Sequence, residues 1–278
     1  MSREFLTIYW RDMLRFMRFR IALVASLIQP ALWMALYGAA MSSNFSRLSS
    51  GMAVPDGAVA VSYLTFMGAG VIALTTLFTS LFGGITLLFD KNWGLMRELL
   101  ASPMPRNHII LGVGLSGVTK SIIQVMVIMG FGLLIGVRFF PGYTLPQTFG
   151  AILAVLLFVG VFSLGFLFLS SAISMSMDTP EGLQAVITLL TLPLFFASNA
   201  LYPIDAFPGV VRTLSQFNPL THLVNGVRYF AVGSDFYAIG IHYVYSSSDV
   251  MLSFMALTIF AVAMFLVAWQ VFKKAVVT

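Results

Sequence analysis

The 278-residue chain contains no cysteine, only 3 histidines and only 9% charged residues, against 59% hydrophobic ones. Without thiols it cannot form a disulfide, a thiolate zinc site, an iron–sulfur cluster or a cysteine nucleophile. The shortage of charge excludes more. A soluble domain carries about 25% Asp, Glu, Lys and Arg, whereas this chain has 15 basic and 10 acidic side chains in all. That is too little polar surface to cover a water-soluble globule. A soluble enzyme, a disordered chain and a nucleic-acid binder are therefore excluded, despite the net charge of +5. The main solvent has to be lipid.

What the chain has instead is apolar length. Six stretches reach the roughly 20 mainly apolar residues that a spanning helix needs: about 21–41, 60–88, 116–137, 147–175, 182–200 and 250–272. The chain reads as an all-α integral membrane protein, one transmembrane domain over 1–278 with six spans. Lys and Arg collect on the cytoplasmic side of such proteins. An even number of spans puts both termini on one side, together with Arg3, Arg11, Arg15, Arg18, Arg20, Lys91, Arg97, Arg106, Lys273 and Lys274. Only Arg47, Arg138, Arg212 and Arg228 fall on the other, which places both termini in the cytoplasm. Lys120 falls near the cytoplasmic end of the third span, where its stem can snorkel.

The run from Ile21 to Met41 is longer than the apolar core of a signal peptide, and no small-residue cleavage site follows it. It reads as a retained first span, kinked at Pro30 because proline has no N–H to donate. Before it, residues 4–18 form an amphipathic helix. Glu4, Thr7, Arg11, Arg15 and Arg18 follow one polar stripe, with Leu6, Tyr9, Trp10, Met13 and Met17 on the opposite face. Such a helix either lies flat in the cytoplasmic headgroup layer, with membrane lipids as its partner, or serves as positive-inside anchoring alone.

Two connections are too polar to span and too patterned to be tethers. In the first, Phe89 to His108, the residues Leu95, Leu99 and Leu100 give a short apolar face with Arg97 and Glu98 off it. Ser102-Pro103-Met104-Pro105 then ends the helix, because proline disfavours helical geometry in the residue before it. A short helix on a cytoplasmic loop suits docking to a soluble partner. The second connection, Leu201 to Asp249, is divided by Pro203, Pro208 and Asn218-Pro219. From Pro219, the residues Leu220, Leu223, Val224, Val227, Phe230 and Ala231 make a helical apolar stripe, with Asn225 and Arg228 on its polar side. That piece is too short to span, so it is expected to be re-entrant or to lie in the outer interface. Arg228 needs protein, water or a lipid phosphate there, as a structural clamp or as a headgroup contact.

These motifs carry a resemblance. Gly94-Leu95-Met96-Arg97-Glu98-Leu99-Leu100-Ala101-Ser102-Pro103 resembles the signature of ABC type-2 transporter permeases after their second span. So do Leu201-Tyr202-Pro203-Ile204-Asp205-Ala206-Phe207-Pro208 and Phe217-Asn218-Pro219-Leu220-Thr221-His222 with Arg228. The order of interfacial helix, six spans, loop after the second and broken helices after the fifth matches along the whole chain, with the flavour of the drug- and antibiotic-resistance exporters. Asn92-Trp93 departs from the charged residues expected before the glycine.

The resemblance implies a permease in the cytoplasmic membrane of a prokaryote. It would pair as two copies with two copies of a separate ATP-binding subunit and export a hydrophobic or amphiphilic substrate such as a drug, a lipid or a lipid-linked glycan. Asp90, Gly94, Arg97, Glu98, Leu99, Leu100, Ser102, Pro103 and Arg106 would make the coupling segment toward that ATPase, braced by the N-terminal helix with Arg11, Arg15 and Arg18. The path between the two copies would be lined by Thr75, Thr76 and Thr79 of the second span and Thr188, Thr191 and Asn199 of the fifth. Hydroxyls on helices can equally bond back to their own carbonyls. ATP and magnesium would be held by the partner, with no cofactor in this chain.

Three patterns suggest other functions. Gly112 and Gly117 have the spacing of a phosphate-binding loop, but Val118-Thr119 stands where Lys-Ser/Thr is required and no strand precedes them. Gly114-Leu115-Ser116-Gly117 resembles the serine motif of rhomboid intramembrane proteases, yet His108, His222 and His242 all lie outside the spans, away from a serine that needs a base. Small residues there, and at Gly132 and Gly136, suit close helix packing instead. An ion-coupled carrier or channel is the third alternative. Such proteins place ionisable relays within the membrane, whereas every Asp and Glu here falls at a span edge or in a loop.

Overall fold

The computed structural model describes residues 4–49, 59–102 and 104–274. Helix α1 (Glu4–Arg18) turns at Phe19 into α2 (Arg20–Leu32), which contains Pro30. A single π turn (Trp33–Tyr37) follows, where the Gly38 N–H reaches back to the Trp33 carbonyl, and α3 (Gly38–Ser49) continues the rod. The π turn takes up the register disturbed at the proline. The first apolar helix therefore runs on to Ser49 instead of ending near 41.

Helix α4 (Tyr63–Asn92) is apolar all round, which marks a helix surrounded by protein. Two-thirds of its most apolar stretch (67%) is buried, against 22% for α11 (Ser247–Lys274), so α4 is the axle of the bundle and α11 lies at its rim. After α4 come α5 (Leu95–Ala101), α6 (Arg106–Leu134), α7 (Leu145–Ser176) and α8 (Pro180–Phe196). A 3-10 turn (Ile204–Ala206), α9 (Gly209–Phe217) and α10 (Pro219–Ala231) lead to α11. The last of these short helices coincides with the predicted apolar stripe: Leu220, Leu223, Val224, Val227 and Ala231 are all buried.

Two glycines show why α4 can sit so deep. A methyl group at Gly70 would overlap the Ala200 carbonyl, and one at Gly84 would overlap Ser170 of α7, whose hydroxyl donates to the Leu81 carbonyl. Small residues let the backbones approach and exchange such bonds. Gly112 and Gly117 serve the same end: added methyls would stand 2.8 Å from the Phe5 carbonyl and from Leu167. Gly136 does not pack a helix. Its φ of +97° places it in the left-handed region just past the end of α6, where glycine carries no steric penalty.

Several expected boundaries shift. The third apolar helix begins at Asn107 rather than 116, because α6 runs without interruption from Arg106 to Leu134. The stretch expected to span 182–200 ends at Phe196 and measures 17 residues. At 1.5 Å per residue that is about 26 Å, short of a hydrocarbon core of about 30 Å. Pro193 lies within it, and the chain turns away over Ala197–Leu201. Among the described residues, five helices are long and apolar enough to span: Leu23–Phe45, α4, Asn107–Leu134, α7 and α11.

The all-α expectation is also amended. Strands β2 (Asp235–Ala238) and β3 (Ile241–Val244) form an antiparallel hairpin, and β1 (Val59–Ala60) adds in parallel to β2. The two-residue turn Ile239-Gly240 has φ of 55° and 75°, the doubly positive pattern of a primed hairpin turn. A β-branched residue is an unusual occupant of that region, which hid the turn. Phe236 and Tyr243 stack across the pair at 5.1 Å, a cross-strand contact that holds the register.

Candidate functional site

The two ends of the bundle differ in chemistry. At the end that carries α1, the last turn of α4 holds Asp90, 1% exposed. Arg11 donates to one carboxylate oxygen at 2.6 Å and Arg15 to the other at 2.8 Å. One turn of α1 also buries Asp12, which pairs with Lys120 of α6 at 2.6 Å and accepts from the Ser116 hydroxyl. Charge-assisted bonds of this kind are the strong ones, and together they bolt α1 to the feet of α4 and α6. Lys120 is thus paired rather than snorkelling, and Ser116 is engaged by a carboxylate.

The amphipathic reading of α1 changes accordingly. Arg11, Arg15 and Asp12 face the bundle with Ile8 and Met13, whereas Leu6, Trp10 and Met17 are exposed. Arg18 and Arg20 are the exposed cations. The pairing of Asp12 with Lys120 escaped sequence reading. A lone acid within a basic helix and a lone lysine at a span edge were the available signals.

Beyond Asp90, Trp93 closes α4, stacked on Phe89 at 5.2 Å and 70% exposed. Gly94 follows with φ of +80°, in the left-handed region, which glycine enters freely. It turns the chain into α5, where Met96 is buried and Leu95 and Leu99 are half-buried. Arg97 and Glu98 are exposed on the outer side. Ser102 ends the helix, its hydroxyl donating to the Leu99 carbonyl at 2.7 Å. Leu100 lies within α5 and Arg106 opens α6, but their side chains lie outside the described set, as does Pro103 entirely.

The hydroxyls proposed for a path mostly face their own helices. Thr75 and Thr76 are buried and donate to the Val71 and Ile72 carbonyls at 2.8 Å. Thr188 and Thr191 bond back to Gln184 and Ile187. Thr79 also bonds to Gln124 of α6, whose amide reaches Ser26 of α2 at 3.0 Å, so it links three helices.

At the opposite end, Arg228 of α10 is fully buried (0% exposed), and no carboxylate among the described residues pairs with it. It donates to the Asn199 carbonyl at 2.7 Å and the Ala200 carbonyl at 3.3 Å, and its guanidinium carbon lies 3.6 Å from the Phe66 ring centroid. Carbonyl dipoles and an aromatic face share its charge. Asn199 donates from its side chain to Asn225 at 2.6 Å, and Tyr63 donates to the Leu201 carbonyl. Asn218 caps α10 by accepting from the Leu220 N–H, while Pro219 fills the first helical position. Pro203 and Pro208 precede the 3-10 turn and α9. Burial pushes the Tyr243 hydroxyl up from its ordinary range, with the Arg228 charge pulling the other way. Burial also lowers His222, whose ring meets the Ser253 hydroxyl at 3.2 Å. Among the described residues, no three His, Asp or Glu side chains come together to hold a metal ion.

Long apolar helices, with ionised side chains gathered at the two ends, define a multi-pass membrane protein. The profile of the family described as "ABC-2 type transporter" matches residues 3–232, and the chain belongs to that family. It is similar to the ycf38 transport permease of Cyanophora paradoxa, at 28% identity over 98% of this chain and 88% of that protein. It is 24% identical to the inner membrane transport permease YadH of Escherichia coli K12, over 96% of this chain and 94% of the other. The daunorubicin resistance ABC transporter permease DrrB1 of Streptomyces coeruleorubidus is 23% identical, over 80% and 68%. These names describe transport permeases, and permeases of this family generally work with ATP-binding subunits.

Proposed function

We propose that the chain is the membrane subunit of an ATP-driven exporter. It carries a hydrophobic or amphiphilic substrate outward across the cytoplasmic membrane of a prokaryote. Two copies pair with two copies of a separate ATP-binding subunit, which holds the ATP and magnesium. Both termini and α5 face the cytoplasm, and α8 serves as the sixth, shortened crossing. The observation that carries this reading is α5 itself. It is a seven-residue helix set off from α4 by the Gly94 turn, with Arg97 and Glu98 outward and α1 bolted behind it through Asp90. Such an element can enter a cleft on a soluble partner and pass its closure to the axle of the bundle. The drug resistance named for DrrB1 supports a small hydrophobic or amphiphilic cargo.

The test begins with copurification of the tagged chain with the ATPase encoded beside it. Exchanging Arg97→Glu and Glu98→Arg together is expected to leave membrane insertion intact while separating ATP hydrolysis from transport of a probe dye in proteoliposomes. Transport of that dye by the chain alone, down an ion gradient and without an ATPase, would overturn the reading.

A further inference from the structure

Lys91, one residue beyond the Asp90 ion pair, enters the sequence reading only as a cytoplasmic charge. In the fold it reaches across to a different pair of helices. Its ammonium donates to the carbonyls of Met175 at 3.3 Å and Met177 at 2.8 Å, and it pairs with the Asp178 carboxylate at 3.0 Å. The next side chain, Asn92, donates to the Asp178 carbonyl at 3.2 Å. These carbonyls belong to the C-terminal end of α7, where helical carbonyls lack partners of their own and the helix dipole is negative. An ammonium with three donors suits three convergent acceptors. One residue further on, the Thr179 hydroxyl accepts from the Gly182 N–H at 3.2 Å and starts α8. The turn from α7 into α8 is therefore fastened to the same end of α4 from which Trp93 and Gly94 lead into α5.

We propose that Lys91 and Asn92 form a strap that makes α8 move with α5. The inference rests on the reading of α5 as the element that takes up the closure of an ATPase. The Gly94 turn sets α5 off from α4, and Met96 of α5 is buried in one cluster with Leu87 of α4, so α5 is held to that end of α4. The helix α8 is short and begins directly at the strapped turn. Lys91 is a positioning residue: it ties the base of one helix to the start of another. Because Asp178 is 91% exposed, its ion pair is screened and weak, and the carbonyl bonds carry the strap.

The chain has no cysteine, so nitroxide pairs can be introduced without background labelling. One pair joins Ala101→Cys, exposed at the end of α5, to Gln184→Cys on α8, and a reference pair joins Leu115→Cys on α6 to Gln184→Cys. Distances are measured by electron–electron double resonance on the whole complex in nanodiscs, nucleotide-free and trapped with Mg-ATP and vanadate. In the parent and in Asp178→Asn, the α5–α8 distribution is expected to keep its maximum on trapping while the reference pair shifts. Lys91→Met should reverse both results while ATP hydrolysis persists, and Lys91→Arg should restore them. An α5–α8 pair that behaves in Lys91→Met as in the parent overturns the strap. So does loss of ATPase binding in Lys91→Met alone, which would make Lys91 a docking contact. A parent chain that binds no ATPase removes the underlying reading and the strap with it.

Discussion

Ionised side chains are handled in two ways at the two ends of this bundle. At the α1 end, Arg11, Arg15 and Lys120 face two carboxylates, Asp90 and Asp12, and every pair joins α1 to a long helix. At the hairpin end, Arg228 meets no carboxylate among the described residues and rests on two carbonyls and a phenyl ring. A carboxylate partner fixes a cation strongly, and removing either member strands the other. Carbonyl dipoles spread over a turn hold a cation less exclusively. The first arrangement neutralises charge with charge, whereas the second holds a buried cation on neutral groups, with its Nε and Nη1 unpartnered among the described residues.

The comparison can be broken most forcefully at Asp90. Asp90→Ala strands two arginines, and because both keep some water contact the loss is expected near the low end of the buried-pair range, about 3 kcal/mol. Thermal unfolding in detergent measures it. A charge-neutral loss below about 1 kcal/mol would show that the joint is ornamental. At the other end, Gly70→Ala drives a methyl into the Ala200 carbonyl, one of the two acceptors of Arg228. Overpacking of this kind costs about 2 kcal/mol, and the same unfolding assay reads it.

Arg228→Lys is expected to cost about 1 kcal/mol, less than Asp90→Ala, since a lysine keeps the charge but loses the planar stacking on Phe66. A loss equal to that of Asp90→Ala would erase the distinction between the two ends. The smallest effect concerns pH. Burial holds His222 below its ordinary value of 6.5, so the folded state resists protonation while the unfolded state accepts it. The unfolded chain then binds more protons as pH falls from above 6.5 toward the lowered folded value, and stability declines over that window and levels off beneath it. His222→Gln should flatten this part of the unfolding-temperature profile measured between pH 7.5 and pH 5.

Much of the fold was legible because it depends on local periodicity. The apolar runs located the long helices, the stripe from Leu220 to Ala231 located α10, and Gly94 with the 102–105 break framed α5. The hairpin was not legible. Its strands are four residues each, and its turn uses Ile239 at a positive φ instead of the Asn or Asp that would have announced it. The shortness of α8 was half visible, since Pro193 and the Ser198-Asn199 pair lie within the apolar run, but hydropathy averages over them.

The candidate site divides the same way. Arg97 and Glu98 could be placed on the outer side of a short helix from spacing alone. Asp90 could not be assigned to Arg11 and Arg15, which lie 79 and 75 residues away in sequence, nor Asp12 to Lys120 across 108. Nothing local distinguishes a carboxylate that meets solvent from one that meets an arginine of another helix.

By itself, then, the sequence determined the solvent, the helical class and the positions of the breaks. Each of these follows from the hydropathy and backbone preferences of residues a few places apart. Only the tertiary structure decided which charges neutralise one another, which hydroxyls turn back on their own helices, and that Lys91 holds the start of α8. Those outcomes depend on which helix faces align, and alignment is settled by packing across the bundle, where a glycine such as Gly84 lets two backbones meet.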